Sequence, residues 1–158
     1  MRELTRQLAD EAATLGLGAE LAQVLQRLGS QRLLVLLQGE LGAGKSTLAR
    51  GFLRSLGHKG AVPSPTYTLV EPYEFTDRTV YHLDLYRLGD ADELEFLGIR
   101  EVLDAIALVE WPTRSPSLFE KADLVIDLAR KAAGREACFS ARSEFGQTIV
   151  SSLGPGAT

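Results

Sequence analysis

An α/β domain is what this sequence predicts, and three observations carry the prediction. The run RLLVLLQ, residues 32–38, is short and continuously apolar, as a strand buried on both faces must be. A glycine-rich loop follows it directly, and then an amphipathic stretch with Leu48, Phe52, Leu53 and Leu56 on one helical face. Further strand-like segments come later: the apolar run AIALVEW and the pair TYTLVEPYEF and VYHLDLYRL.

Taken in order, residues 4–28 read as an amphipathic helix, with Leu17, Leu21, Val24, Leu25 and Leu28 at helical spacing. Gly16 and Gly18 suggest a break within it, and Gly29 its end. The strand, loop and second helix follow, with Gly57 as C-terminal cap. The next segment is a loop held extended by Pro63 and Pro65. TDR is then the turn of a hairpin between the two alternating segments. DADELEFLGIREVLD suits one or two short helices, and AIALVEW is a buried strand stopped by Pro112. ADLVIDLA and REACFSARS are expected to be neighbouring strands, with EFGQTIVSSL as the closing segment. Residues 1–153 are expected to form one domain and 154–158 a disordered tail.

Composition excludes several classes of function. The net charge is −4, and Lys and Arg are scattered singly among acids, so the basic stripe of a nucleic-acid binder is missing. The longest clean apolar run, Leu33 to Leu37, is far short of the roughly 20 residues of a membrane span. MRELTRQLADEAATLG mixes acids and bases and lacks the apolar centre of a signal peptide. Cys138 is the single cysteine, which leaves no intramolecular disulfide. A cytoplasmic location is expected.

GELGAGKST, residues 39–47, satisfies the phosphate-loop pattern at Gly39, Gly44, Lys45 and Ser46, with a buried strand before it and a helix after it. Glycines in such a loop let successive backbone N–H groups turn toward one anion, here along Gly42, Ala43 and Gly44. The start of the helix adds partial positive charge. Lys45 would reach the β- and γ-phosphates, and the Ser46 hydroxyl would ligate Mg²⁺. GTP recognition would require an Asn/Thr-Lys-x-Asp element after a strand. Glu120-Lys121-Ala122-Asp123 has the wrong first residue and precedes a strand, so the nucleotide is expected to be ATP.

A phosphate loop also needs an acid for the Mg²⁺ shell, usually at the end of an adjacent buried strand. Glu110, closing AIALV, occupies that place. The second candidate is Asp84, in mid-strand within HLDLYRL, where alternation puts His82, Asp84 and Tyr86 on one face. A hydrogen bond between His82 and Asp84 is one expectation of that pattern. SPTYT, residues 64–68, places hydroxyls on a loop after the phosphate-loop helix, where switch segments sense the γ-phosphate.

GELGAGKST, SPTYTLVEPY, YHLDLYRL, ELEFLGIRE and LVEWP occur together in the order and spacing of one family. The chain resembles TsaE (also called YjeE), bacterial P-loop ATPases of tRNA threonylcarbamoyladenosine synthesis, from about Thr14 to about Ser140. The resemblance implies a P-loop NTPase-type three-layer α/β sandwich with a mixed sheet including an antiparallel hairpin. It also implies ATP and Mg²⁺ as ligands, slow hydrolysis alone, and action with the TsaD–TsaB pair, which transfers threonylcarbamoyl to N6 of adenosine 37 in tRNA. Contact with tRNA would be indirect, through that complex, and neither DNA nor a membrane is expected as a partner.

Carried over by residue, Lys45 holds phosphate, Ser46 and Glu110 hold Mg²⁺, and Thr47 follows in the loop. Thr66, beside Ser64, senses the γ-phosphate. Asp84 is the general base or orients the attacking water. Trp111 packs over the site or contacts nucleotide or partner. Adenine contacts would come from Glu11 to Thr14 and from Gly134-Arg135-Glu136, with Glu11, Thr14 and Arg135 as the site residues.

A small-molecule kinase is the competing reading, since many begin with the same loop. Such kinases clamp the phosphoryl group with arginines of a lid. Arg114, Arg130, Arg135 and Arg142 are isolated in the sequence, and none lies in a glycine-rich lid. A module that only binds ATP would need neither Asp84 nor Glu110.

Overall fold

The computed structural model describes residues 3–90 and 92–154. Its strands are β1 (Glu3–Leu8), β2 (Leu33–Gln38), β3 (Val70–Glu74), β4 (Thr79–Asp84), β5 (Ile106–Glu110), β6 (Leu124–Lys131) and β7 (Gly134–Ala141). They form one seven-stranded sheet in the order β1-β7-β6-β2-β5-β4-β3. The four central strands are mutually parallel, while β3, β7 and β1 join antiparallel at the edges. The expected hairpin is β3–β4, and the expected neighbours are β6 and β7.

β2 runs through the middle, and its alternate side chains serve two cores. Leu33, Val35 and Leu37 face α1 (Glu11–Leu28), α2 (Lys45–Ser55) and α5 (Glu144–Ser152). Leu34 and Leu36 face the other layer, where α3 (Glu93–Phe96), α4 (Ile99–Leu103) and two short 3-10 turns contribute Leu94, Val102 and Leu118. A strand with a core on each side has no polar face, which is why RLLVLLQ reads as a continuous apolar run. EFGQTIVSSL is α5, capped by Ser143, whose hydroxyl accepts from Gly146 N–H at 2.9 Å. Among the described residues no helix is long and apolar enough to cross a membrane.

Two expectations at the N-terminus are corrected. Residues 4–8 are strand, not helix: β1 pairs with β7 from Glu3 opposite Ser140 to Leu8 opposite Arg135. Leu4, Arg6 and Leu8 turn inward, and Arg6 donates to both carboxylate oxygens of Glu20 at 3.0 and 2.9 Å and to the carbonyls of Leu153 and Gly154. Gly154 belongs to the expected tail; residues 155–158 lie outside the described residues.

The helix is also unbroken at Gly16 and Gly18. A Cβ on Gly18 would stand 2.1 Å from Leu48 O, and one on Gly51 of α2 would stand 2.1 Å from Leu15 O. These glycines let α1 and α2 approach backbone to backbone, so Gly18 is a packing residue rather than a breaker.

Candidate functional site

The site lies at the carboxyl ends of the parallel strands, where β2 runs into the glycine-rich loop and α2. No side chain caps α2, and the amides of Gly44 to Thr47 meet no protein acceptor among the described residues. That helix start therefore presents unpaired donors and partial positive charge to the cleft. Lys45 is 5% exposed; its ammonium donates to Gly39 O and, at 3.4 Å, to Glu40 O, and lies 3.8 Å from the centre of the Trp111 ring. Burial pulls its pKa below the ordinary lysine value, and the nearby carboxylates of Glu110 and Asp84 oppose that shift. Trp111 reaches this position from a left-handed backbone, φ 57° and ψ 50°, an uncommon conformation for a residue with a side chain.

The two acids close adjacent strands and face each other in register, Asp84 opposite Glu110. Glu110 accepts the Ser46 hydroxyl at 3.0 and 3.2 Å, which ties the start of α2 to the end of β5. Asp84 Oδ2 accepts the Thr66 hydroxyl at 3.1 Å, and Oδ1 accepts the Tyr86 N–H at 3.0 Å. Thr66 in turn shares a 2.7 Å hydrogen bond with Ser64. The 64–69 loop is closed by Leu69 N–H on Pro65 O at 2.7 Å and fixed to β4 by Asp84 N–H on Leu69 O at 3.0 Å.

Two details differ from the sequence expectation. Asp84 is the last residue of β4 rather than a mid-strand residue, because its own side chain takes the Tyr86 amide and turns the chain. His82 bonds Glu110, Nε2 to Oε2 at 2.6 Å, and not Asp84.

The remaining expected residues surround a cleft of about 260 Å³. Glu11, Thr14, Gly42, Thr47 and Arg135 line it with the residues above. Ala43 does not: it is buried, and its N–H donates to Glu40 O at 3.0 Å. Glu136 also points elsewhere, accepting from Gln7 at 2.7 Å. Arg135 donates to Gly42 O at 3.1 Å.

Arg130, which looks isolated in the sequence, lies beside the glycine-rich loop without lining the cleft. It sits opposite Arg135 across the β6–β7 hairpin, and a Cβ on Gly42, where φ is 79°, would meet its Nη2 at 2.2 Å. Neither arginine has an acidic partner within 4.0 Å among the described residues. Their five-residue separation across a hairpin turn was the available signal.

A cleft with unpaired helix amides and Lys45 on one side, and Ser46 with a carboxylate pair on the other, fits a polyanion that carries a divalent cation. The family model for "Threonylcarbamoyl adenosine biosynthesis protein TsaE" matches residues 8–137. This chain belongs to the TsaE family. The tRNA threonylcarbamoyladenosine biosynthesis protein TsaE of Haemophilus influenzae is 41% identical over 156 residues, covering 97% of this chain and 99% of that one. The protein of the same name from Aquifex aeolicus is 37% identical, covering 77% and 83%. The crystal structure of Bacillus subtilis YdiB superimposes with a TM-score of 0.74 at 26% identity, over 96% of this chain and 94% of that one. The segment that matches the TsaE model contains the glycine-rich loop, both acids and Arg135.

Proposed function

We propose that this chain binds ATP with Mg²⁺, hydrolyses it slowly, and acts with TsaD and TsaB in N6-threonylcarbamoylation of adenosine 37 of tRNA. The observation that carries the reading is the Ser46–Glu110 hydrogen bond, which joins the phosphate-loop helix to an acid ending the neighbouring strand. Those two side chains would hold Mg²⁺, which supplies charge neutralisation at the phosphoryl oxygens. Lys45 exchanges the carbonyls of its own loop for phosphate oxygens, and the free amides of α2 hold the same anion. Asp84, 4% exposed and open to the cleft, is placed to take the proton of an attacking water or to orient it. Thr66, bonded to Asp84, connects the 64–69 loop to that chemistry.

The acyl transfer is assigned to the partners, and contact with tRNA to the complex, in keeping with the net charge of −4. The cytoplasm is the compartment such a role requires. The test is phosphate release by the purified protein, alone and then with TsaD and TsaB. Slow turnover, raised by the partners and abolished by Asp84→Ala, supports the reading. Transfer of the γ-phosphate to an added small molecule, with no release to water, would support a kinase instead.

A further inference from the structure

His82 is 0% exposed, lies one strand away from Glu110, and is bonded to it at 2.6 Å. Its other ring nitrogen, Nδ1, is buried without a hydrogen-bond partner among the described residues. That asymmetry settles the tautomer. A hydrogen on Nδ1 would be a buried unsatisfied donor, at a cost of about 1–3 kcal/mol, whereas a hydrogen on Nε2 is used by the carboxylate.

Nε2–H therefore donates to Glu110 Oε2. The Ser46 hydroxyl supplies its single hydrogen to the same carboxylate, 3.0 Å from Oε2 and 3.2 Å from Oε1. The histidine thus pins Oε2 and fixes the rotation of the carboxylate, and Oε1 is left with the greater free acceptor capacity.

We infer that His82 is a positioning residue for the Mg²⁺ site: it orients Glu110 without touching nucleotide or metal. The inference rests on the reading of Ser46 and Glu110 as the metal-holding pair, and it adds what keeps that pair in order. Groups hydrogen-bonded behind a metal ligand typically set metal affinity by about 10- to 100-fold. His82 has the features of such a group: full burial, a short bond to one ligand oxygen, and no second partner to compete for its orientation. Its place on β4, opposite Leu108 and two residues before Asp84, leaves the hydrogen-bond partners of Asp84 untouched.

The test compares His82→Leu, which fills the space without a donor, with His82→Gln, which keeps a donor at similar reach. Trp111, the single tryptophan, stands over Lys45 and reports the site by fluorescence. Each protein is loaded with ATP in EDTA and titrated with Mg²⁺, and metal-free ATP affinity and melting temperature are measured beside it. Glu110→Gln is the control for loss of the metal site.

The expected result is a Mg²⁺ half-saturation raised about 10- to 100-fold in the leucine variant and largely restored in the glutamine variant. Metal-free ATP affinity should stay within about two-fold of the parent, since a group that acts only on the metal ligand adds nothing before metal binds. An unchanged half-saturation in a folded His82→Leu protein overturns the inference alone. So does an equal loss of metal-free affinity, or failure of glutamine to restore the response. A parent protein that shows no Mg²⁺ response, with Glu110→Gln indistinguishable from it, overturns the metal reading and this inference together. If His82→Leu does not fold, His82→Asn, too short to reach Glu110, takes its place against His82→Gln.

Discussion

Asp84→Asn separates chemistry from binding at this site. Asn keeps the shape of the side chain, and its carbonyl oxygen can still accept the Tyr86 N–H now held at 3.0 Å. Its amide can donate to Thr66 Oγ1, because that hydroxyl can redirect its own hydrogen to Ser64, 2.7 Å away. Both local contacts survive, and only the negative charge and the basicity are lost. The exchange of a charged for a neutral acceptor costs about 1 kcal/mol of stability, or about 2–4 °C in melting temperature for a chain of this size. Removing a general base costs about 10²- to 10⁴-fold in turnover, equivalent to about 2.7–5.4 kcal/mol. ATP affinity should hold or rise, since a carboxylate facing the anion is gone. Lys45→Ala, by contrast, should lose both binding and turnover. Phosphate release and calorimetric ATP titration check this on the same preparations. Turnover within about three-fold of the parent would refute a general-base role, because the smallest effect expected of such a group is about 100-fold. Loss of ATP affinity equal to that of Lys45→Ala would show Asp84 to be part of the binding site instead.

Other perturbations test the frame around this centre. Gly51→Ala places a Cβ 2.1 Å from Leu15 O; overpacking of about 3 kcal/mol should lower the melting temperature by about 6–12 °C, and an unchanged melt would refute the close α1–α2 approach. Arg135→Ala removes the 3.1 Å bond to Gly42 O and a cation lining the cleft; ATP affinity should fall about ten-fold, and calorimetry showing no change would remove Arg135 from the site. Burial lowers the folded pKa of Lys45 below its ordinary 10.5, so the unfolded chain binds more protons between those two values and stability rises with pH across that window. Tyr73, which burial raises above 10.0, contributes with the opposite sign: its stabilisation is complete below pH 10 and lost as the pH climbs through its folded value. Lys45→Met should flatten the rise, measured as the difference in urea midpoint from the parent between pH 8 and pH 10; an identical slope in both proteins would refute the burial effect at Lys45.

How much of this was legible depends on whether the deciding contact is local. The strand–loop–helix unit is written in adjacent residues, since RLLVLLQ, GELGAGKST and the Leu48–Phe52 face each report on their own conformation. Glu110 could be placed at a strand end for the same reason; Asp84 could not, because the side-chain bond to the Tyr86 amide that ends β4 leaves no mark in the alternation. β1 could not be read in this way. Leu4 and Leu8 are four apart, a spacing that satisfies helical and strand periods alike, and the antiparallel partner that decides between them is β7, about 130 residues away. Gly18 read as a break because the opposing carbonyl of Leu48 belongs to another helix. Arg130 and Arg135 looked isolated because only the β6–β7 register sets them opposite each other.

His82 shows most clearly where alternation stops being informative. Period two put His82 and Asp84 on one face of β4, and a bond between them was the natural expectation. Which neighbour His82 meets depends instead on strand order: β5 lies beside β4, and the parallel register brings Glu110 opposite Asp84. One strand thereby controls both arms of the site. His82 holds the carboxylate that bonds Ser46, while Asp84, two residues on, holds the hydroxyl of Thr66. The arms differ in rigidity for a physical reason. The Glu110 arm is anchored between buried strands and the first turn of α2. Thr66 stands on an exposed loop, beside Tyr67 at 82% exposure, and its side chain is tied to the rest of the site by the single bond to Asp84. That division, one arm anchored in the sheet and one carried on a loop, would suit the slow, partner-dependent cycle proposed for this domain.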